Sequence, residues 1–354
     1  MKYSLPGFLG VLFLSAAMTN TVYADRGVFD LERWENVIQN IRNRATEQKI
    51  SKSVIDETLK SPAFIPSIVK SDKNQSEFTL TLDQYLNRTV NDTRIKEGLK
   101  KKAEYPTLLS RVEQRYNVPK NVLLAFWGME SNYGAIKSRH QLTGAFLTLI
   151  YDGRREEFFS KQLLALMKIA DKNKLQINNI YGSWAGAMGH FQFIPTTLAQ
   201  YGVDGNNDNR IDIINSVGDA MMSAGHYLNK LGWAKNEPVI YKVILPGDFD
   251  RMVLNGDTKK SFKEWSQMGV MKTDGTALPQ LDTTVGLVAD TKEIAKQDLY
   301  QPQRYDPSQT LDTDVAPAPV IHAYLTYPNF YRIKKWNNSS WYAIAIGELS
   351  EKLK

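Results

Sequence analysis

The chain has 354 residues, 42% apolar and 23% charged, a balance that excludes a disordered polymer and leaves room for a large core in two or three lobes. Its formal net charge is +6; a basic surface suits nucleic acid, anionic lipid or an acidic cell-wall polymer, and no arginine-rich arm or zinc-finger spacing supports nucleic acid as a partner. There is no cysteine, which removes disulfides, thiolate metal sites, thiol catalysis and a lipid-modified cysteine.

Residues 1–24 read as a secretory signal peptide. Lys2 is followed by the apolar run "LPGFLGVLFLSAAM" (5–18), short for a membrane span, and by "VYA" (22–24), which favours cleavage between Ala24 and Asp25. Loss of Lys2 takes the net charge from +6 to +5, so the mature chain stays basic and is expected outside the cytoplasm. An uncleaved anchor is the alternative.

The spacing of Leu31, Trp34, Ile38 and Ile41 predicts helix within 28–60, followed by a Pro-containing bend, "SPAFIPS" (61–67). A polar helix with a cationic end is expected over 82–102. Two consecutive helices follow at 105–117 and 119–131, with Pro119 suited to a first turn. Further helices are expected at 143–151, 154–172, 195–201, 217–231 and 339–353. Strand-like alternation occurs at 237–250 and 283–290, and 306–319 reads as a surface loop. The fold class is mainly α: a helical body with a small mixed insertion and a last helix folding back.

The helix at 119–131 is apolar until "WGMESNYG", where Glu130 appears near its C-terminal end. The negative end of the helix dipole and burial beside Phe126 and Trp127 both raise a carboxyl pKa, which makes a general acid near neutral pH. The other reading is a helix-end glutamate facing water. Gly134 is placed to cap the helix. The stretch "YGSWAGAMGHFQFIPTT" (181–197) is rich in small residues that admit close approach of a ligand, and it sets Gln192 between Phe191 and Phe193. A tight helix crossing explains the small residues equally well.

Taken together and in order, "GMESNYG", "YDGRREEFF" (151–159), "GSWAGAMGHFQFIPTT" (182–197) and "YPNFYRIKKWNNSSWYAIAIGEL" (327–349) resemble the lytic murein transglycosylase B family. The resemblance implies a lysozyme-like helical catalytic core over 101–235, an additional helical region at 25–100, a mixed α/β insertion at 236–320 and a C-terminal segment, 321–354, returning to the core. It implies a periplasmic enzyme acting on peptidoglycan glycan strands, without an obligatory cofactor, as a monomer, with cell-wall synthesis complexes as candidate partners. The family's catalytic glutamate falls on Glu130. It would protonate the oxygen between N-acetylmuramic acid and N-acetylglucosamine, then act as base on the muramic acid 6-hydroxyl, giving a 1,6-anhydro product.

The same resemblance carries substrate contacts onto Ser183, Gln192, Tyr227 and Tyr342, and a contact with the peptide stem onto Arg154 and Arg155. Those arginines could instead pair with Glu156 or Glu157 across the helix surface. Trp336 and Asn337 fall in a matching segment; Asn337 joins the candidate contacts, and Trp336, where the family can carry a tyrosine, keeps a stacking role. In "VDGNNDNRIDIIN" (203–215), Asp204, Asn206, Asp208, the Arg210 carbonyl, Asp212 and Asn215 occupy the ligand places of an EF-hand-like loop, though Asn stands where Gly is preferred at 209 and where an acid is preferred at 215. A structural calcium is one expectation for it, Asx turns the other. The four histidines have no metal spacing, and His190 is expected in a cleft wall. A muramidase using water, a catalytically dead glycan-binding scaffold and a calcium-controlled adaptor are the competing functions.

Overall fold

The structure, a computed structural model, describes residues 23–24, 27–73, 80–136, 138–290 and 320–354. Residues 1–22 of the expected signal segment (1–24), Asp25 at its cleavage junction and the 306–319 loop lie outside the described residues. Tyr23–Ala24 (β1) and Gly27–Val28 (β2) form a two-stranded antiparallel ladder.

Helix α1 (Leu31–Glu47) starts at Asp30, whose carboxylate accepts from the Arg33 backbone N–H at 3.0 Å. It buries Trp34, Ile41 and Ala45, while Leu31 at its mouth stays exposed. The region expected to be helical from 28 to 60 breaks at 48–51, and α2 (Lys52–Leu59) follows. Helix α3 (Pro66–Lys73) begins at the Pro of the expected bend. The single helix expected at 82–102 is two, α4 (Leu82–Thr89) and α5 (Asp92–Glu104), because Asn91 caps the second through the Arg94 N–H. Helices α6 (Pro106–Tyr116), α7 (Lys120–Ser131), α8 (Leu142–Asp152) and α9 (Glu156–Asn173) follow close to expectation. So do α10 (Pro195–Tyr201) and α11 (Val217–Lys230). Short strands β3 (His140–Gln141) and β4 (Tyr181–Gly182) pair antiparallel.

The N-terminal helices do not make a separate core. Trp34, Ile41, Val54 and Leu59 share one apolar cluster with Phe126 and Trp127 of α7, Phe146 of α8 and Leu163 of α9. At the seam, Phe29, Trp34 and Phe64 surround Tyr151 of α8, and the Tyr151 hydroxyl accepts from the Asp30 N–H at 2.8 Å. The boundary expected at 100/101 therefore falls inside α5 and crosses a shared core.

A second, smaller cluster lies under an antiparallel five-stranded sheet. Its strands are β5 (Ile240–Leu245), β6 (Lys260–Ser261), β7 (Met271–Lys272), β8 (Thr284–Ala289) and β9 (Ile321–Thr326), in the order β6-β8-β9-β5-β7. Val243, Val285 and Leu287 meet Phe262 and Trp265 of α12 (Phe262–Gln267). The middle strand is β9, so the mixed module runs past 320, the boundary expected from sequence; Tyr241 pairs with Leu325 and Val288 with Tyr324 across it. Two helices return to the body, α13 (Pro328–Trp336), which was not expected, and α14 (Ser340–Lys352), which packs its buried Ala343–Gly347 face against α7. Among the described residues no helix is long and apolar enough to cross a membrane.

One local feature fixes the end of α7. Asn132, Tyr133 and Gly134 have successive φ values of 50°, 59° and 83°, so Asn132, not Gly134, is the left-handed cap. This conformation is costly for the two residues other than glycine. It turns the buried Tyr133 ring into a slot between α5 and α7, where its hydroxyl donates to the Arg94 carbonyl at 3.0 Å. Glycines leave that slot open: a Cβ on Gly128 would lie 2.7 Å from the Tyr133 hydroxyl oxygen, and one on Gly98 closer still. In an exposed helix Gly→Ala gains about 1 kcal/mol; here overpacking wins, and Gly128→Ala is expected to lose about 1–3 kcal/mol. Urea denaturation checks this, and an unchanged or raised midpoint would show that the slot is not filled as described.

Candidate active site

Glu130 is the penultimate residue of α7, after a buried run from Val122 to Gly128. Its Oε1 accepts from the Trp336 indole Nε1 at 2.9 Å and from the Tyr342 hydroxyl at 2.5 Å. Both donors come from the C-terminal helix pair, α13 and α14, more than 200 positions along the chain. Neither donor touches Oε2. Burial pushes the carboxyl up from 4.5 to about 7, against the two hydrogen bonds, which pull it down. Burial, and then the neighbouring Glu130, hold the Tyr342 phenol well above its ordinary range, so it remains a protonated donor.

Aromatic rings form the wall behind this pair. Trp336 lies 4.9 Å from Phe126, 4.9 Å from Tyr227 and 5.4 Å from Phe193, centroid to centroid. Tyr227 stacks on Tyr201 at 4.7 Å with planes 26° apart. A partly exposed stack of this kind offers ring faces to a sugar. Sequence reasoning kept only a stacking role for Trp336. Its indole N–H donates to Glu130, and the residue type alone gives no sign of that.

The loop after β4 brings Ser183 and Gln192 to the same region. Ser183 closes its base: its N–H donates to the Ala187 carbonyl at 2.7 Å, and its Oγ accepts from the Ala187 N–H at 3.0 Å. Met188 and Phe193 exchange backbone hydrogen bonds, which forces the intervening residues into a tight reversal with Gln192 at φ 47°. The Gln192 amide donates to the Gly189 carbonyl at 2.9 Å, and its Oε1 has no partner among the described residues. Phe191 and Phe193 anchor the reversal, one stacked on Trp127 and the other against Trp336. His190 is a wall residue, as expected. Burial holds its imidazole below the usual range, and Nδ1 accepts from the Trp127 indole at 3.0 Å. Ser131 ties α7 to this loop by donating to the His190 carbonyl at 2.6 Å. Sequence reasoning passed over Ser131, although its position directly after Glu130 was a usable signal.

Not every expected residue joins this cluster. Asn337 follows Trp336 directly but is exposed, and only its backbone is bonded. Arg154 and Arg155, at the start of α9, pair with neither Glu156 nor Glu157. Both grip the buried Asp72 of α3, Arg154 also reaches Asp152 at 3.2 Å, and Glu157 pairs with Arg44.

In the loop at 204–215 the side chains fold onto their own backbone. Asp204 accepts from the N–H groups of Asn207, Asp208 and Asn209, and Asp208 accepts from that of Arg210. Asp212 accepts from Ile214 and Asn215, and the Asn215 amide donates to Asp212 at 2.8 Å. Asn207 and Asn209 supply the left-handed residues. Fully buried Asp219 clamps the loop, accepting from Gly205 at 2.9 Å and from Asp212 at 2.8 Å. Oxygen donors suit a calcium ion at Asp204, Asp208 and Asp212, but at the twelfth place Asn215 turns an N–H inward where an acid would be required. Among the described residues no group of three or more His, Asp or Glu converges as a metal site.

Comparison with known proteins places this arrangement. Residues 33–351 match the transglycosylase SLT domain family. The chain is 26% identical over 348 residues to the membrane-bound lytic murein transglycosylase B of Escherichia coli (strain K12), covering 92% of this chain and 88% of that protein. It resembles the crystal structure of SltB3 from Pseudomonas aeruginosa in complex with NAG-NAM-pentapeptide, with a TM-score of 0.78 at 33% identity over 90% of this chain and 79% of that one. The likeness to the Escherichia coli lytic transglycosylase SLT35 in complex with calcium (TM-score 0.71, 23% identity, 91% and 92% coverage) is one of fold. The family match spans nearly all of the helical body, the sheet module and the returning helices, and the chain belongs to the transglycosylase SLT domain family.

Proposed function

We propose that this protein is a lytic transglycosylase that cleaves the β-1,4 bond between N-acetylmuramic acid and N-acetylglucosamine in peptidoglycan, leaving a 1,6-anhydro end. The observation that carries the reading is Glu130: one carboxyl near neutrality, held by two neutral donors in an aromatic enclosure. With Oε1 accepting from Trp336 and Tyr342, the proton sits on Oε2 and can be given to the glycosidic oxygen. The resulting carboxylate then takes the proton of the muramic acid 6-hydroxyl as that oxygen closes on the anomeric carbon. Substrate assistance removes the need for a second carboxylate, and the groups touching Glu130 are aromatic. Tyr227 supplies a ring face, and Gln192 and Ser183 supply polar atoms for N-acetyl groups; exposed Asn337, next to Trp336 in the chain, is a further candidate contact. The chain acts in the periplasm once residues 1–24 are removed. Calcium enters no step, and where it binds the 204–215 loop it is structural.

Glu130→Gln keeps both acceptor contacts on Oε1 and removes the transferable proton. Sacculi treated with the parent protein should release muropeptides about 18 Da lighter than hydrolysed ones, one water less, and sacculi treated with the variant should release none. Reducing-end products from the parent would instead identify a hydrolase.

The acid step requires protonated Glu130. The kcat/KM profile should be level below pH 7 and fall about tenfold per unit above it; a profile still rising at pH 8 would rule out Glu130 as the acid.

The self-bonded 204–215 loop predicts calcium affinity no tighter than about 0.1–1 mM. Melting in 1 mM calcium and in EDTA should then differ by less than about 3 °C; a difference of 10 °C would establish a tight site.

A further inference from the structure

We propose that a lysine-lined groove beside the Glu130 turn binds the carboxylates of a peptide attached to the glycan strand. The groove runs between α5 and the turn at 132–135. Lys96 is exposed, and no partner holds it among the described residues. Lys100, also exposed, pairs with Glu97 at 3.6 Å across one turn of the helix surface. Lys101 is more enclosed, 2.8 Å from Glu104 and 3.9 Å from Glu97, and it lies over the Tyr105 and Trp127 rings. The two acids beside them on α5, Glu97 and Glu104, do not balance three ammonium groups. The Asn132 side chain adds a partly exposed amide with no partner among the described residues. The floor is the buried Tyr133, set in place by the left-handed turn.

In a peptide-bearing strand the lactyl carboxyl of muramic acid is tied up as an amide, so the sugars themselves offer hydroxyl, N-acetyl and amide groups, which leave ammonium groups uncompensated. A peptide offers at least a terminal carboxylate, and the ligand of the similar SltB3 structure carries a pentapeptide. Asn132, in the groove wall, is two residues beyond Glu130, so the groove lies beside the turn that ends the helix carrying Glu130. The arginines to which the family resemblance gave the peptide are already neutralised by Asp72 and Asp152. Lys96 and Asn132 have no partner among the described residues, and Lys100 shares Glu97 with Lys101. This inference rests on the glycan-cleaving reading of Glu130.

The test measures binding of peptide-bearing glycan strands, and of the same strands with carboxyls converted to amides, to Glu130→Gln protein with and without Lys96→Ala and Lys100→Ala. Amidation should weaken binding to the parent about tenfold, and the double lysine substitution should weaken binding of native strands about as much. In the lysine-substituted protein amidation should then make no further difference. Retention of the full preference for free carboxylates after both substitutions would overturn the groove assignment. Cleavage by the wild-type protein is assayed in parallel: a parent that neither cleaves nor binds the strands overturns the glycan reading itself, whereas cleavage with unchanged carboxylate preference overturns the groove alone.

Discussion

Two neutral donors converge on one oxygen of Glu130 within a ring of aromatic side chains, and the rest of the molecule is arranged around that contact. The hydrogen bonds alone would lower the carboxyl pKa. Desolvation exceeds them, and the balance leaves the group near 7. A cationic partner in place of either donor would keep the carboxyl ionised and without a proton to give. Trp and Tyr supply hydrogen bonds with no formal charge, so they orient the carboxyl while leaving it protonated.

That arrangement requires α13 and α14 to sit against the end of α7, and the sheet module serves this end. Strand β9 runs through the middle of the sheet and leads at once into α13, so the position of Trp336 is referred to a rigid ladder. The opposite wall is built by strain held in place. Tyr133, next to the more tolerant Asn132, and Gln192 have left-handed backbones that isolated residues of their kinds avoid. Each is fixed by neighbours: Tyr133 by its slot and the Arg94 carbonyl, Gln192 by the bonds between Met188 and Phe193.

The body of the fold was legible because its helices bury wide apolar faces, and α10 falls where the sequence places it. The split between α4 and α5 carried a readable cap at Asn91 that a polar sequence obscured. The sheet was harder to read. Strands β6 and β7 are two residues long and carry no period, and β9 is buried at all but one position, so it alternates weakly. At the site, the apolar run drew attention to Glu130 but left a water-facing glutamate equally open, and the family resemblance singled it out. Trp336 as its donor was not legible, because the contact joins residues about 200 positions apart. Asp219, the clamp of the 204–215 loop, could have been suspected from the Ser216-x-x-Asp219 pattern at a helix start.

Holding a carboxyl near 7 inside the fold also sets when the fold is strongest. A glutamate of ordinary pKa 4.5 in the unfolded chain and about 7 in the folded one keeps more protons folded than unfolded between those values. The stability linked to the protonated side chain is therefore whole below pH 4.5 and is lost as pH rises through 7, in all about 3 kcal/mol. Loss of the proton that Glu130 has to give and loss of folding stability therefore set in over the same rise in pH. By the same carboxyl, the fold is least secure in the conditions where the proton of Glu130 is already spent.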